Sequence, residues 1–462
     1  MPFLGGCALL YIGLALLLPR YFPLIEPDSE GYIAFFNNRT AVYPLVLRLL
    51  TWTGLDLIQI TYIQLLGFAA ALMFLLASLL RASVPPVLVV LFVVALGLNG
   101  YFSGFAFTIM SETLFFAVGV IAIAFWLDYF RSGKAGYLAG LSLCVGLLIG
   151  IRPIGWAFVP FVLISVWLQS AHRSISPAIL AIALILPSAA AIVGERIAHR
   201  VVHERRESIL PYALIGKAAM LVRQDTVFGG PHADQLNQLG GRLAVEFAPV
   251  PDFLAGVPFL ARPIVTAAYE GVGQFLALPQ EIAEISKASN VPEDTLRTEL
   301  GKQSIFANLP DYARLTLTHY FGQWSIMALT FPPTTRAFNA YLAAHPSIPL
   351  ADKVNAIILK PPEKLISFLV YPAFLMAGAI SLALSPLLIV FMARRMLGAT
   401  QRGHFLMLSC FFAAMAHSYT ILISLVNVST PRFLMGVYPQ LILVGVFLLL
   451  AIKPRWAVAQ NS

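Results

Sequence analysis

The chain has 462 residues, of which 59% are hydrophobic and 11% charged, and its mean hydropathy is +0.82. Soluble domains carry about 25% charged residues, so a cytosolic globule would lack the polar surface to cover such a core, and disorder is excluded for the same reason. The net charge of +8 fits the excess Lys and Arg in cytoplasmic loops of membrane proteins and does not call for a nucleic-acid partner. Cys7, Cys144 and Cys410 all lie in apolar runs, as small core residues do, and suggest neither disulfides nor metal ligands.

About 20 apolar residues cross a bilayer. In chain order the candidate runs are Phe3–Leu18, Ile58–Leu80, Val84–Leu98, Glu112–Phe130, Leu138–Ile151, Pro153–Leu168, Ala178–Gly194, Leu365–Met392, Phe405–Val426 and Phe433–Ile452. They predict an all-α polytopic membrane protein with about ten transmembrane helices. Seven fall in an N-terminal membrane domain (1–194) and three in a C-terminal one (364–462). The first run lacks a basic leader and a small-x-small cleavage site, so it reads as a retained helix.

Charge predicts the orientation. With the N-terminus inside, the inner short loops hold Arg81, Arg131, Lys134, Arg173, Arg394, Arg395, Arg402, Lys453 and Arg455. The outer short segments hold Arg20, Arg39, Arg48, Arg152 and Arg432. The excess on the inner side favours cytoplasmic termini. Compact size and the lack of an endoplasmic-reticulum retrieval signal point to a bacterial inner membrane. Segment 195–363 carries 16 of the 22 carboxylates. It is too long for a structureless loop and is expected to form a mostly helical region on the outer face. Its apolar piece Phe253–Leu278 contains Arg262 and Glu270 and is read as interfacial, or packed against the membrane domain.

The chemistry-bearing stretch follows the first helix: Glu26-Pro27-Asp28-Ser29-Glu30-Gly31-Tyr32. Three carboxylates within five residues can simply cap an interfacial helix, where the macrodipole favours negative charge. Arg39-Thr40-Ala41-Val42-Tyr43-Pro44-Leu45 comes next. Ser111-Glu112 opens the fourth run, with Ser111 as a candidate N-cap. Arg152-Pro153 separates the fifth and sixth runs, and Arg432 opens the tenth. Under the predicted topology Asp28, Glu112, Arg152 and Arg432 share the outer face. There they can pair with one another or bind an anionic lipid-linked substrate, with arginine on phosphate. Ionisable residues at membrane depth are functional candidates by default.

This pattern resembles the GT-C superfamily of membrane glycosyltransferases, and within it the branch of protein mannosyltransferases and bacterial aminoarabinose transferases. Asp28 in Pro-Asp-Ser-Glu-Gly-Tyr matches the acidic motif of the first outer loop. Arg39 with Tyr43-Pro44-Leu45 resembles the Arg-x-Pro-x-Tyr-Pro-Leu stretch after it. Ser111-Glu112, Arg152-Pro153-x-Gly155 and Arg432-Phe433 resemble further elements of the family. Two departures stand out: Ser29 separates Asp28 from Glu30 where many relatives have adjacent acids, and Thr-Ala-Val follows Arg39 instead of x-Pro-x.

The resemblance implies an inverting glycosyltransferase of the hexosyl- or pentosyltransferase class (EC 2.4). It would move a sugar from a polyprenyl-phosphate donor to a glycolipid, polysaccharide or protein acceptor at the extracytoplasmic face. Asp28 would be the general base, and Glu30, Tyr32, Arg39, Tyr43, Glu112, Arg152 and Arg432 would bind substrate. No cofactor is implied with certainty; a divalent metal occurs in some relatives and is not expected here.

His199-x-x-x-His203 with Glu195 has metal-ligand spacing, but Arg196, Arg200, Arg205 and Arg206 in the same stretch repel a cation. The run reads instead as a surface helix touching anionic headgroups. His417 and Tyr419 read as packed polar groups, and His319-Tyr320 as a possible cavity element. The sequons at Asn38 and Asn427 lie too near the membrane to be used. Rival readings are an O-antigen ligase or polymerase, a transporter or flippase, and a scaffold. The ligases lack an essential acid after the first helix, and transporters show paired halves with spans broken at mid-membrane.

Overall fold

The computed structural model describes residues 2–18, 23–170, 176–257, 259, 262–275, 278–325, 365–394, 400–427 and 431–453. Arg20, Arg173, Arg395, Arg455, part of the Asn427 sequon and residues 326–363 of the predicted outer segment lie outside that set. The described residues are helical and contain no strand. The chain is a multi-pass membrane protein in its make-up: among the described residues seven helices are long and apolar enough to cross a bilayer, and eight if one bent pair is a single span.

The expected ten runs therefore divide. Seven become long helices: Leu57–Arg81, Glu112–Ser132, Pro153–Ser170, Pro177–Val202, Leu375–Ala393, Gln401–Val426 and Arg432–Ile452. Two others are shorter, Pro2–Leu17 with 16 residues and Ala135–Ile151 with 17. At 1.5 Å per residue these reach roughly 24–26 Å, below the roughly 30 Å hydrocarbon thickness. In the remaining run, Pro86–Leu98 meets Gly100–Phe107 at 65°. Asn99 makes that bend. Its backbone is extended, its Oδ1 caps the next helix at Phe102 N (3.2 Å), and Tyr438 Oη donates to the Ala95 carbonyl (2.9 Å). That carbonyl would otherwise take the next amide of a continuing helix.

Local chemistry sets the helix ends. Asp56 and Gln59 form a reciprocal capping box before Leu57–Arg81, which satisfies two otherwise orphan amides. Gly133 closes Glu112–Ser132 in the left-handed conformation. These two helices share a polar cluster around the buried Asp128, which accepts from Arg81 (2.6 and 3.1 Å) and from Ser78 (2.9 Å). Glu112 lies at the other end of the same helix, about 24 Å away by helical rise.

The chain divides into two compact units: 1–207 with 376–419 and 435–462, and 208–375 with 420–434. The first unit holds most of the long apolar helices. There His417 is buried and bonded to Ser381 (2.8 Å), and Tyr419 stacks on Phe158 (5.7 Å). Both are packed groups.

The second unit is a small helical bundle. Helices Leu210–Leu221, Ala233–Glu246, Arg262–Phe275 and Glu293–Ala307 bury an apolar core that includes Ile215, Leu239, Val265, Tyr269 and Leu300. Arg262–Phe275 thus packs into this unit's own core, where the sequence suggested a piece that is interfacial or packed against the membrane domain. Its Val265, Ala268, Tyr269 and Val272 are all buried, and so are Thr266, Ala267 and Glu270 on its other faces.

Candidate active site

The loop after the first helix folds as a short helix, Ser29–Ile33, with Asp28 at its N-cap position. A capping aspartate would accept a hydrogen bond from an amide of the first turn. The Asp28 side chain makes no such bond. Arg39 Nη2 donates to its Oδ1 at 2.8 Å instead, and about a third of the Asp28 side chain stays exposed. The same happens at Ser111, which sits at the N-cap position of Glu112–Ser132 without capping it. Its Oγ shares a hydrogen bond with Tyr32 Oη at 3.0 Å. The sequence placed both residues at helix starts, and the structure gives both side chains to tertiary partners.

Arg39 is held on three sides. Its guanidinium lies over the Tyr32 ring at 4.8 Å, a cation–π contact worth roughly 0.5–2 kcal/mol by exposure. Beneath it runs Gly31, where an added Cβ would sit 2.7 Å from Arg39 Nε. Tyr32 packs edge-on against Tyr43 at 5.2 Å, and Tyr43 Oη donates to Gln64 Oε1 at 2.9 Å. Tyr32, Tyr43, Leu47, Ile60, Ile109 and Met110 form the apolar floor.

A second ion pair closes the arrangement. Arg152 bonds to Glu112, which is 1% exposed. The Pro153 that follows starts a 3-10 turn, and Gly155 N returns to the Arg152 carbonyl at 2.9 Å. Thr40 Oγ1 donates to the Ile151 carbonyl at 2.6 Å. The contacts form a ring: Arg39 to Tyr32, Tyr32 to Ser111, Glu112 to Arg152, Ile151 to Thr40, and back to Arg39 along the chain. Asp28 hangs from this ring through Arg39.

Of the predicted site residues, the ring brings together Asp28, Tyr32, Arg39, Glu112 and Arg152, with Tyr43 beneath them. Glu30 is exposed and stands outside it. Arg432 belongs to the second unit, with its guanidinium 5.6 Å from the Phe433 ring centre.

Sequence reasoning missed the fasteners of this loop. Glu195 Oε1 accepts from Ala41 N (2.8 Å) and from Arg206 (2.7 Å). His199 and His203 donate from Nε2 to the carbonyls of Asn37 (3.1 Å) and Phe35 (2.6 Å). Phe35 has φ +54, a strained region for a non-glycine residue, and its ring is held edge-on by both imidazoles. The spacing that suggested metal ligands thus serves backbone carbonyls. Arg196 and Arg200 point away, exposed. The available signal was Glu195 and His199 one turn apart on the end of an apolar helix, a polar stripe that needs partners. Among the described residues no three His, Cys, Asp or Glu side chains gather to hold a metal.

Glu195→Ala removes the acceptor for a buried amide, a loss of about 1–3 kcal/mol. The effect is expected as local opening of 35–41 and roughly tenfold faster trypsin cleavage after Arg39. An unchanged cleavage rate would show that Glu195 does not fasten the loop.

Comparison with known protein families, characterised proteins and solved structures gives no match. The resemblance to the GT-C superfamily therefore rests on the motif residues themselves.

Proposed function

We propose that the chain is an integral membrane glycosyltransferase. It takes a sugar from a polyprenyl-phosphate donor and passes it to an acceptor hydroxyl at the extracytoplasmic face of a bacterial inner membrane. The observation that carries this reading is the state of Asp28: a carboxylate at an N-cap position that makes no cap hydrogen bond, oriented by Arg39 and partly open to solvent. A cap or a buried strut has no need of that exposure, and a general base requires it.

The reaction is a single displacement. The acceptor oxygen bonds to the anomeric carbon as its proton passes to Asp28, and the bond from that carbon to the phosphate oxygen breaks. Polyprenyl phosphate leaves with the electron pair. One carboxylate is enough for this inverting course. Arg152 is the candidate to meet the phosphate charge. Glu112 already balances Arg152, so an incoming phosphate competes with Glu112 for the guanidinium. Glu30, exposed two residues from Asp28, is the candidate to meet the sugar or the acceptor. Arg39 acts as the positioning residue for Asp28.

The test is mass spectrometry of envelope glycolipids and glycoproteins from a deletion strain rescued with wild type or with Asp28→Asn. A sugar-sized mass missing from one glycoconjugate only in the mutant supports the transferase and names the acceptor. Identical glycoconjugates at equal protein levels give the lead to a scaffold or a transporter.

Gly31→Ala probes the geometry separately. Its Cβ would push Arg39 off Asp28, and turnover is expected to fall about tenfold, the order that misplacing a catalytic group costs. The melting temperature should hardly move, since a partly exposed ion pair contributes at most about 1 kcal/mol. Full activity in Gly31→Ala would remove Arg39 from the mechanism.

A further inference from the structure

The second unit contains a cleft of about 280 Å³ that the transferase reading does not use. Arg223, Arg262 and Arg314 line it, together with the single carboxylate of Asp311. They come from separate helical segments: Arg223 just past Leu210–Leu221, Arg262 at the start of Arg262–Phe275, and Asp311 and Arg314 from the first turns of Leu309–Ser325. Apolar side chains such as Phe247 and Leu254 form the remaining wall.

Three guanidiniums face one carboxylate, and that carboxylate is shared. Arg314 reaches Asp311 Oδ1 at 3.2 Å, and Arg223 reaches Oδ2 at 3.5 Å. Both contacts are at the long end for charged pairs. Among the described residues Arg262 has no carboxylate partner: its Nη2 makes two long bonds, to the carbonyls of Ala255 (3.3 Å) and Val257 (3.4 Å), and its buried Nε has no hydrogen-bond partner. A buried N–H without an acceptor is costly. The cleft therefore has two positive charges in excess and an unused donor.

We infer that this cleft is a binding site for a phosphate monoester that carries an apolar chain. A phosphate monoester brings about −1.5 to −2 charge near neutral pH and three acceptor oxygens, which matches the excess charge better than one carboxylate does. Guanidinium forks suit its geometry, and the apolar wall takes the adjoining chain. The ligand source is either a lipid or a soluble phosphorylated compound. The inference does not depend on the transferase reading, because no residue of the Asp28 ring lines the cleft.

The test uses the full-length protein in neutral maltoside micelles, titrated with dihexanoyl phosphatidate, dihexanoyl phosphatidylcholine and inorganic phosphate. Phosphatidate should bind to wild type, and phosphatidylcholine should bind at least tenfold more weakly, since it carries no net charge. Arg223→Gln/Arg314→Gln changes two exposed side chains and is expected to raise the phosphatidate Kd by about tenfold or more. Asp311→Asn removes the competing carboxylate and is expected to lower that Kd by about threefold. A gain of affinity cannot come from misfolding, so this variant keeps the test decisive.

Inorganic phosphate that binds as tightly as phosphatidate, with the same response to the variants, would overturn the apolar-chain part of the inference and leave a bare anion site. Preference for phosphatidate assigns the cleft to a lipid. Equal affinities in the double variant and wild type, or weaker binding in Asp311→Asn, would overturn the inference.

Discussion

Asp28→Asn is expected to lower glycosyl transfer by about 10²–10⁴-fold, the range that a positioned general base contributes. The amide keeps the size of the side chain and can still accept a hydrogen bond from Arg39, so the 2.8 Å contact has a surviving counterpart. Only the capacity to take a proton is lost. Folding should be almost unaffected, because the pair is partly exposed and such pairs contribute about 1 kcal/mol at most. The loss should fall on kcat, with substrate still bound, because the missing interaction develops only as the proton moves. Arg39→Gln should behave differently. It leaves the base in place and releases its orientation, so a smaller loss of about tenfold is expected. Purified protein in liposomes with a polyprenyl-phosphate sugar reads both variants. A rise in KM with unchanged kcat for Asp28→Asn would reduce Asp28 to a binding residue.

The helical class was legible because bilayer crossing imposes a length and an apolarity that few other constraints mimic. Leu57–Arg81 and Glu112–Ser132 show it: each apolar run ends within two residues of the helix. The bend at Asn99 was not legible. The run ends at Leu98 and Asn99 caps the next helix locally, but the bend also depends on Tyr438 reaching the Ala95 carbonyl across 343 residues of chain. The site divides in the same way. Asp28, Arg39, Glu112 and Arg152 stand out as charges in an apolar chain, and the structure brings them into one ring. The roles of Thr40, Glu195 and His199 do not show, because their partners are a carbonyl 111 residues away, an amide 154 away and a carbonyl 162 away. Backbone partners leave no mark in the sequence. The short motif at Asp28 also reads naturally as a cap, and only the missing cap bond separates the two roles.

The buried charges of the second unit give the largest expected effect on stability. Lys217, Glu270 and His319 are almost wholly buried. Lys217 Nζ lies 2.8 Å from Glu270 Oε1, and His319 Nε2 donates to Oε2 at 2.7 Å. The three residues tie together helices Leu210–Leu221, Arg262–Phe275 and Leu309–Ser325. Lys217→Met strips Glu270 of its cation and is expected to cost about 3–5 kcal/mol, the usual penalty for an uncompensated buried charge. Removing both charges in Lys217→Met/Glu270→Leu should recover most of that loss, since apolar replacement of a buried pair is often neutral. Additive losses in the double variant would show that Lys217 and Glu270 are not coupled and that the ion pair is not what the single variant breaks.

Protonation gives an independent check of the same triad. Burial pushes the Glu270 carboxyl up, but Lys217 and His319 more than offset it and hold it down at about 2. Burial, reinforced by Lys217, also holds the His319 imidazole below its usual value. Both groups bind protons more readily in the unfolded chain, so both contribute stability that is lost on acidification. As pH falls below about 6.5, the unfolded state takes up a proton that native His319 refuses; below about 4.5 the same begins at Glu270, down to its folded value of about 2. Each proton contributes a slope of up to about 1.4 kcal/mol per pH unit. His319→Gln keeps a donor to Glu270 and should remove only the upper part of the decline. Chemical denaturation of the full-length protein from pH 7.5 to 4 reads the slopes. If His319→Gln and wild type decline in parallel between pH 6.5 and 5, His319 is not held neutral by its burial.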